Sequence, residues 1–324
     1  MEIPLKYVLT QDVLRLIASI EVKRAALEKL QIPQDLIKSL QRKTLLKSSL
    51  FSAKIEGNSL EISDIDNLNR FNPEFRERVE IENILSGFSF INEKKDNIDI
   101  DFISDLHRIV MKSLTDSLGV IRREPSAIYN QSGFPIYIPP PPSQIQELLL
   151  KLFAYINQKD SENMLIKAFV SHISFEKIHP FLDGNGRVGR LLLQAILLKG
   201  EYSFNGLISI EEILSERKEE YYAYLDKSDA TSFIEFMLEL LEIQVQKALE
   251  ELSIKEYKKE DLLLPKRKEI LDIIRDHEVV SLDFISRRFY KVSDRMIRYD
   301  LKKLEEEGYI IKLGATRGAR YRIK

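Results

Sequence analysis

The stretch His179-Pro-Phe-Leu-Asp-Gly-Asn-Gly-Arg-Val-Gly-Arg190 decides how the rest of this chain is read. Gly184-Asn185-Gly186 stands just before a helical run that begins near Arg187. Glycines let backbone N–H groups come close to an anion, and a helix N-terminus adds about half a positive charge. Arg187 and Arg190 lie three apart, so one helical face can offer both guanidinium groups to a polyphosphate. Asp183 supplies a hard oxygen suited to Mg2+ shared with phosphates. His179, with an ordinary pKa of roughly 6.5, takes up a proton near neutral pH. A base, a metal ligand, an anion nest and two phosphate clamps suffice for attack on a phosphoryl group.

Outward from this stretch the pattern is mostly helical. Apolar residues recur at helical spacing from about Gln11 to Leu30, until Pro33 breaks the run. A second helix is expected from Gln34 to Ile55, stopped by Glu56-Gly57-Asn58 in a left-handed turn. Ser63, Asp64 and Asp66 read as the cap and first turn of a further helix. Helical pattern returns at Asp101–Ser113, from Gln144 past Ala168, through Leu191–Leu198, and over Glu211–Asp226 and Thr231–Glu256. Between them Ile128–Ile138 holds Gln131-Ser132-Gly133 flanked by β-prone residues, a small hairpin, and four prolines follow at 139–142.

Composition is that of a globular protein: 324 residues, 44% hydrophobic, 31% charged, net charge −2. So small a charge gives the whole molecule no strong attraction to nucleic acid or acidic membrane. The absence of cysteine excludes disulfide and thiolate chemistry. No apolar run reaches the roughly 20 residues of a membrane span, and the start of the sequence has no signal-peptide pattern, so a cytoplasmic location is expected.

The motif from His179 to Arg190, with the preceding His172-Ile-Ser-Phe-Glu-Lys-Ile-His179, closely resembles the signature HPFx(D/E)GNGRxxR of Fic-domain proteins. The resemblance extends over roughly residues 100–226. It implies a helical Fic core that transfers AMP from ATP to a Tyr, Ser or Thr hydroxyl of a target protein, releasing pyrophosphate. On that resemblance His179 deprotonates the target hydroxyl and Asp183 holds Mg2+. Gly184, Asn185, Gly186, Arg187, Val188, Gly189 and Arg190 bind the nucleotide, and Tyr222 of a tyrosine pair borders it. The hairpin matches the family's flap, which aligns the target chain by main-chain pairing. Relatives that phosphorylate carry Lys where this chain has Gly186, which favours AMP transfer, with choline-phosphate, GMP and UMP transfer as open alternatives. Family relatives often self-associate, which implies a homodimer.

Ser52-Ala-Lys-Ile-Glu56-Gly57 resembles the inhibitory motif (S/T)xxxE(G/N) of the same family. Taken alone, these residues also fit a helix end with a solvated glutamate. Beside the second motif they imply that Glu56 forms a bidentate ion pair with Arg190 and takes the donor needed by the γ-phosphate. Some relatives use this glutamate to remove AMP, so inhibition and reversal both stand. His107 and His172 read as structural. Arg122 in Gly119-Val-Ile-Arg122 matches a family position before the flap and also fits a surface arginine.

Residues 266–324 differ in texture, with 16 Lys and Arg against 10 Asp and Glu. Helices at Pro265–Asp276, Leu282–Phe289 and Asp294–Glu306, then short strands about Gly314–Gly318, resemble a winged helix-turn-helix. Arg295, Arg298, Lys302 and Lys303 on its third helix suit phosphates, whereas Glu305-Glu306-Glu307 argues for protein contacts. A DNA-binding regulator with a nucleotide-sensing core is therefore the competing reading. The chain is read as mainly α: an N-terminal helical region over 1–98 with the inhibitory helix, a Fic catalytic domain over 99–257, and the winged helix over 258–324.

Overall fold

The computed structural model describes residues 1–30, 32–61, 75–94, 97–129, 135–159, 162–227, 229–254, 260, 263, 265–289, 292–314 and 318–324. The helix start expected at Ser63–Asp66 and the turn at Gln131–Gly133 lie outside them. The chain divides into two compact units, Met1–Leu30 with Gln41–Ser253, and Gln31–Leu40 with Ile254–Lys324. No described helix is long and apolar enough to cross a membrane.

The first unit is built on two helices buried nearly all round, α6 (Met164–Ile178) and α7 (Asn185–Lys199), which pack on each other. Such helices have no solvent face, so the surrounding helices must cover every side. These are α1 (Gln11–Glu28), α2 (Gln34–Ile55) from Gln41 onward, α3 (Phe75–Lys94), α4 (Ile100–Val110), α5 (Pro142–Asn157), α8 (Ile210–Glu216), α9 (Lys218–Leu225) and α10 (Thr231–Ile254) up to Ser253. α1 is capped by Thr10, whose hydroxyl accepts from the Val13 N–H, and α4 by Asp99, which accepts from Phe102.

α3 is not among the segments expected from the sequence. Its buried Ile81, Ile84, Phe88 and Ile91 do follow helical spacing. The mid-helix Gly87, ordinarily a helix breaker, serves packing: a Cβ there would stand 2.6 Å from Leu191 Cδ1. The single helix expected from Gln144 past Ala168 is two. α5 starts two residues earlier, with Pro142 in its first turn, and ends at Asn157, and Asn163 caps α6 by accepting from the Leu165 N–H. Strands β1 (Ile128–Tyr129) and β2 (Pro135–Tyr137) pair antiparallel as the expected hairpin.

The second unit holds α11 (Pro265–Asp276), α12 (Leu282–Arg288) and α13 (Asp294–Glu306) against an antiparallel sheet in the order β3-β5-β4. Its strands are β3 (Val279–Ser281), β4 (Ile310–Leu313) and β5 (Arg320–Ile323). The two wing strands match expectation, and β3 adds a third. Ile297, Leu301 and Leu304 place one face of α13 in the core with Ile270, Ile274 and Tyr321. Buried Asp300 beside them pairs with Lys266 at 2.6 Å and Arg267 at 3.1 Å.

Candidate active site

α6 ends at His179, which adopts a left-handed backbone (φ 48°) and returns its N–H to Phe175. Pro180 has no N–H and cannot continue the helix. The chain then loops to Gly184 (φ 80°), the residue before α7. A Cβ on Gly184 would meet Met111 Sδ at 2.6 Å, so both its backbone and its surroundings require glycine. Asn185 closes the loop by accepting from the Phe181 N–H at 2.9 Å and donating to the Phe181 carbonyl at 2.8 Å. His107 supports it from α4. The Gly119 N–H donates to its Nδ1 at 2.8 Å, so Nε2 carries the hydrogen given to the Asp183 carbonyl at 3.1 Å. Its ring stacks on Phe181.

The His179 imidazole is held down to about pKa 4, by burial first, with Arg122 adding to it. It is therefore neutral at pH 7, and its buried Nδ1 makes no hydrogen bond. A neutral imidazole can accept a proton. His172 is wholly buried, as a structural residue should be. Its Nδ1 donates to the Gly189 carbonyl at 3.0 Å and its Nε2 accepts from the Tyr221 hydroxyl at 2.8 Å.

Arg187 and Arg190 are both buried, and each already has a carboxylate. Arg187 reaches Glu80 of α3 at 2.5 Å and Asp183 at 3.1 Å. Arg190 donates from Nη2 to Glu56 at 2.8 Å and to the Ser52 carbonyl at 2.9 Å, while Nε donates to the Ser52 hydroxyl at 2.9 Å. The contact with Glu56 thus uses one nitrogen where a bidentate pair was expected, because Ser52 occupies the Nε edge. Burial works against the Glu56 carboxylate, but Arg190 and Arg187 hold its pKa below the ordinary value.

Glu56 sits where it does because of how α2 ends. The Gly57 N–H bonds Lys54 O and the Asn58 N–H bonds Ala53 O, a Schellman closure with Gly57 at φ 105°. Asn58 Nδ2 then donates to Glu80 Oε2 at 2.9 Å. Gly186 makes the approach possible: a Cβ there would lie 2.3 Å from Glu56 Oε1.

Glu56, His179, Gly186, Arg190 and Tyr222 line one cavity of about 180 Å³. Tyr222 is at its rim, 41% exposed, and Tyr221 is buried behind it. Asp183 and Arg187 do not line that cavity, and Val188 and Gly189 are buried in α7. Asp183 bonds Gly184 N–H and Arg187 through a single oxygen, with its side chain 54% accessible. One accessible carboxylate suits Mg2+, which completes its shell with phosphate oxygens and water. Among the described residues no cluster of three acids or histidines offers a self-sufficient metal site.

Three further residues shape this site: Glu80 and Glu176, which the sequence did not single out, and Arg122, whose place it left open between a family position and the surface. Glu80 comes from the unforeseen α3. Arg122 is buried beneath His179 rather than on the surface. Glu176 lines the cavity, and burial pushes its carboxyl up to about pKa 8, against the pull of Arg190. The visible signal for Glu176 is an acid on an otherwise apolar helix. A carboxyl whose folded pKa exceeds the ordinary 4.5 favours folding below that value and loses this advantage as pH rises through 8. Glu176→Gln is therefore expected to melt progressively higher than wild type between about pH 4.5 and 8, levelling at a gap on the order of a few kcal/mol. Circular dichroism melts across that range test this, and a gap independent of pH would refute it.

The start of α7, a neutral imidazole beside it and an arginine held by a distant glutamate thus come together around one cavity. Residues 97–197 match the profile of the Fic/DOC family and residues 266–317 that of the DeoR-like helix-turn-helix domain. The chain therefore carries a Fic/DOC family domain followed by a helix-turn-helix domain. It is 26% identical over 241 residues to the protein adenylyltransferase Fic of Drosophila willistoni, covering 70% of this chain and 46% of that one. It is 33% identical over 98 residues to a probable protein adenylyltransferase of Aquifex aeolicus, covering 30% and 28% respectively. The chain thus spans less than half the length of these curated relatives. A Fic family protein from Desulfovibrio desulfuricans shares its fold with a TM-score of 0.71 at 23% identity, over 98% of this chain and 97% of that one. Fic-1 from C. elegans does so with a TM-score of 0.62 at 24% identity, over 74% and 73%.

Proposed function

We propose that the chain is a protein adenylyltransferase that transfers AMP from ATP to a Tyr, Ser or Thr hydroxyl of a target protein and of itself, and that Glu56 holds it back. The observation that carries this reading is the Glu56–Arg190 pair in the same cavity as the neutral His179. His179 takes the proton of the acceptor hydroxyl as its oxygen attacks the α-phosphorus. A new P–O ester bond forms, the bond to the β-phosphate breaks, and pyrophosphate leaves. The N–H groups of Asn185, Gly186 and Arg187 have no partner within the first turn of α7 and receive the phosphate charge. Asp183 would hold Mg2+, which when bound neutralises phosphate charge. Arg190 binds the outer phosphates once Glu56 withdraws, and Arg187 contributes on exchanging Glu80 for phosphate. Tyr222 borders the nucleoside.

Mass spectrometry after incubation with Mg·ATP tests the reaction class. The added mass of AMP on wild type or Glu56→Gly, absent from His179→Ala, is the expected result. Unmodified protein in all three would end this reading.

A contact with duplex DNA is a second role for the helix-turn-helix unit. It is favoured by α13, which turns Arg295, Arg298 and Lys302 to solvent opposite its buried face. Arg295→Ala with Arg298→Ala is expected to weaken duplex binding by the full chain. The same change should lower the salt dependence by about one in log–log slope for each phosphate that is no longer neutralised. Fluorescence anisotropy from low to physiological salt measures both. No binding at low salt would leave protein docking as the role of this unit.

A further inference from the structure

We infer that Arg122 is the positioning residue of His179, and that through it the flap hairpin and the base move as one unit. The inference rests on the reading of His179 as the base. Arg122 is 2% exposed. Its Nε donates to the His179 carbonyl at 2.7 Å, and Nη2 reaches the Ile178 carbonyl at 3.4 Å. Nη2 also donates to the Pro140 carbonyl at 2.7 Å, and Nη1 to the Glu124 carbonyl at 3.0 Å. The Arg122 backbone N–H donates to the Pro180 carbonyl at 2.9 Å.

Every one of these acceptors is a backbone carbonyl. Ile178 and His179 are the last carbonyls of α6, which no amide of the same helix can satisfy and where the helix dipole is negative. His179 also stands in the left-handed region, which a side-chain-bearing residue holds only when its surroundings fix it. The guanidinium fixes the peptide plane that follows His179 and so sets the direction of its Cα–Cβ bond.

The other two donors bracket the hairpin. Glu124 precedes β1 and Pro140 follows β2, so one planar fork joins both ends of the flap to the residue that carries the imidazole. Tyr137 of β2 adds a second tie, its hydroxyl donating to the Lys177 carbonyl of α6 at 2.9 Å. An acceptor chain paired along the flap would therefore meet His179 at a fixed offset. Lysine, with a single-point ammonium, cannot span the four carbonyls.

The charged groups acting on the His179 ring are Arg122, Glu56 of α2 and Asp183 of the motif loop. Glu176, Lys177, Arg190, Tyr221, Tyr222, Asp226 and Tyr137 stand around the same cavity. Arg122 is the cation that adds to burial in disfavouring the imidazolium.

The test uses full-length Arg122→Lys and Arg122→Ala in a Glu56→Gly background. A kcat about a hundredfold lower, with ATP affinity by calorimetry unchanged, is expected because the misplacement falls on the base and not on the nucleotide nest. The His179 ring, followed by NMR with labelled histidine, is expected to titrate above its parental value in Arg122→Ala, which removes the cation. Added guanidinium ion should restore part of the Arg122→Ala rate and none of a His179→Ala rate. Parental kcat together with parental ring titration in a folded Arg122→Ala protein would overturn the inference. So would an equal loss of ATP affinity and kcat, which would mark general damage. If the Glu56→Gly parent itself transfers no AMP, the proposed reaction fails, and the ring titration alone decides whether Arg122 positions His179.

Discussion

Glu56→Gly, incubated with labelled ATP and Mg2+, is expected to incorporate AMP at least about tenfold faster than wild type. A hydrogen bond to a charged partner contributes about 1.5–3 kcal/mol, and each 1.4 kcal/mol is about a factor of ten in the population released. The pair being broken is well placed. Arg190 is buried, its Nε and Nη2 also donate to Ser52, and Glu56 faces it at 2.8 Å. Removing the carboxylate leaves Nη2 as a cation without its counter-charge, which an outer phosphate of ATP can supply. Glycine at this position ends α2 as before, because the Schellman closure is made by backbone groups of Gly57 and Asn58. The pair should persist at neutral pH, since Glu56 ionises below the ordinary carboxylate range. Unchanged AMP incorporation and unchanged ATP affinity would show that Glu56 is not inhibitory.

His179→Ala is expected to lose AMP transfer by about a hundredfold to ten-thousandfold, the usual contribution of a positioned general base. ATP affinity and the melting temperature should change little. The imidazole Nδ1 gives up no hydrogen bond, and the clamp from Arg122 falls on the backbone carbonyl, which alanine retains. In the Glu56→Gly background, labelled AMP incorporation and calorimetry separate the two effects. Because the ring protonates only near about pH 4, the rate should be level on the acid side until well below neutral. Substantial transfer by His179→Ala would remove His179 from the chemistry.

Local chemistry made much of this architecture legible. The helix over Gln34–Ile55 and the three helices of the C-terminal unit follow from apolar spacing and from Ser281 and Ser293 as caps. The hairpin follows from β-prone runs around a turn. The separate ends of α5 at Asn157 and α6 at Met164 are hidden in the sequence because apolar spacing continues on both sides; they depend on the Asn163 cap and on Asn157 bonding back to Ile98. Gly87 obscured α3, because the reason for a glycine in a helix is the neighbour that presses on it, here Leu191.

Residue type at short spacing marked the glycine-rich motif, the helical core and the winged unit, and the resemblance of Ser52–Gly57 to an inhibitory motif made the pairing of Glu56 with Arg190 an expectation. A linear reading can see such patterns. Packing of distant segments settled which partners those residues have. Arg187 is held by Glu80, 107 positions away, and Arg190 by Ser52 as well as Glu56. Arg122 lies under His179, and Glu176 stays protonated beside an ionised glutamate. Each of these rests on burial and on hydrogen-bond geometry between distant segments. Spacing along the chain cannot encode them, because only the packed helices determine which buried charge meets a carboxylate and which meets a row of carbonyls.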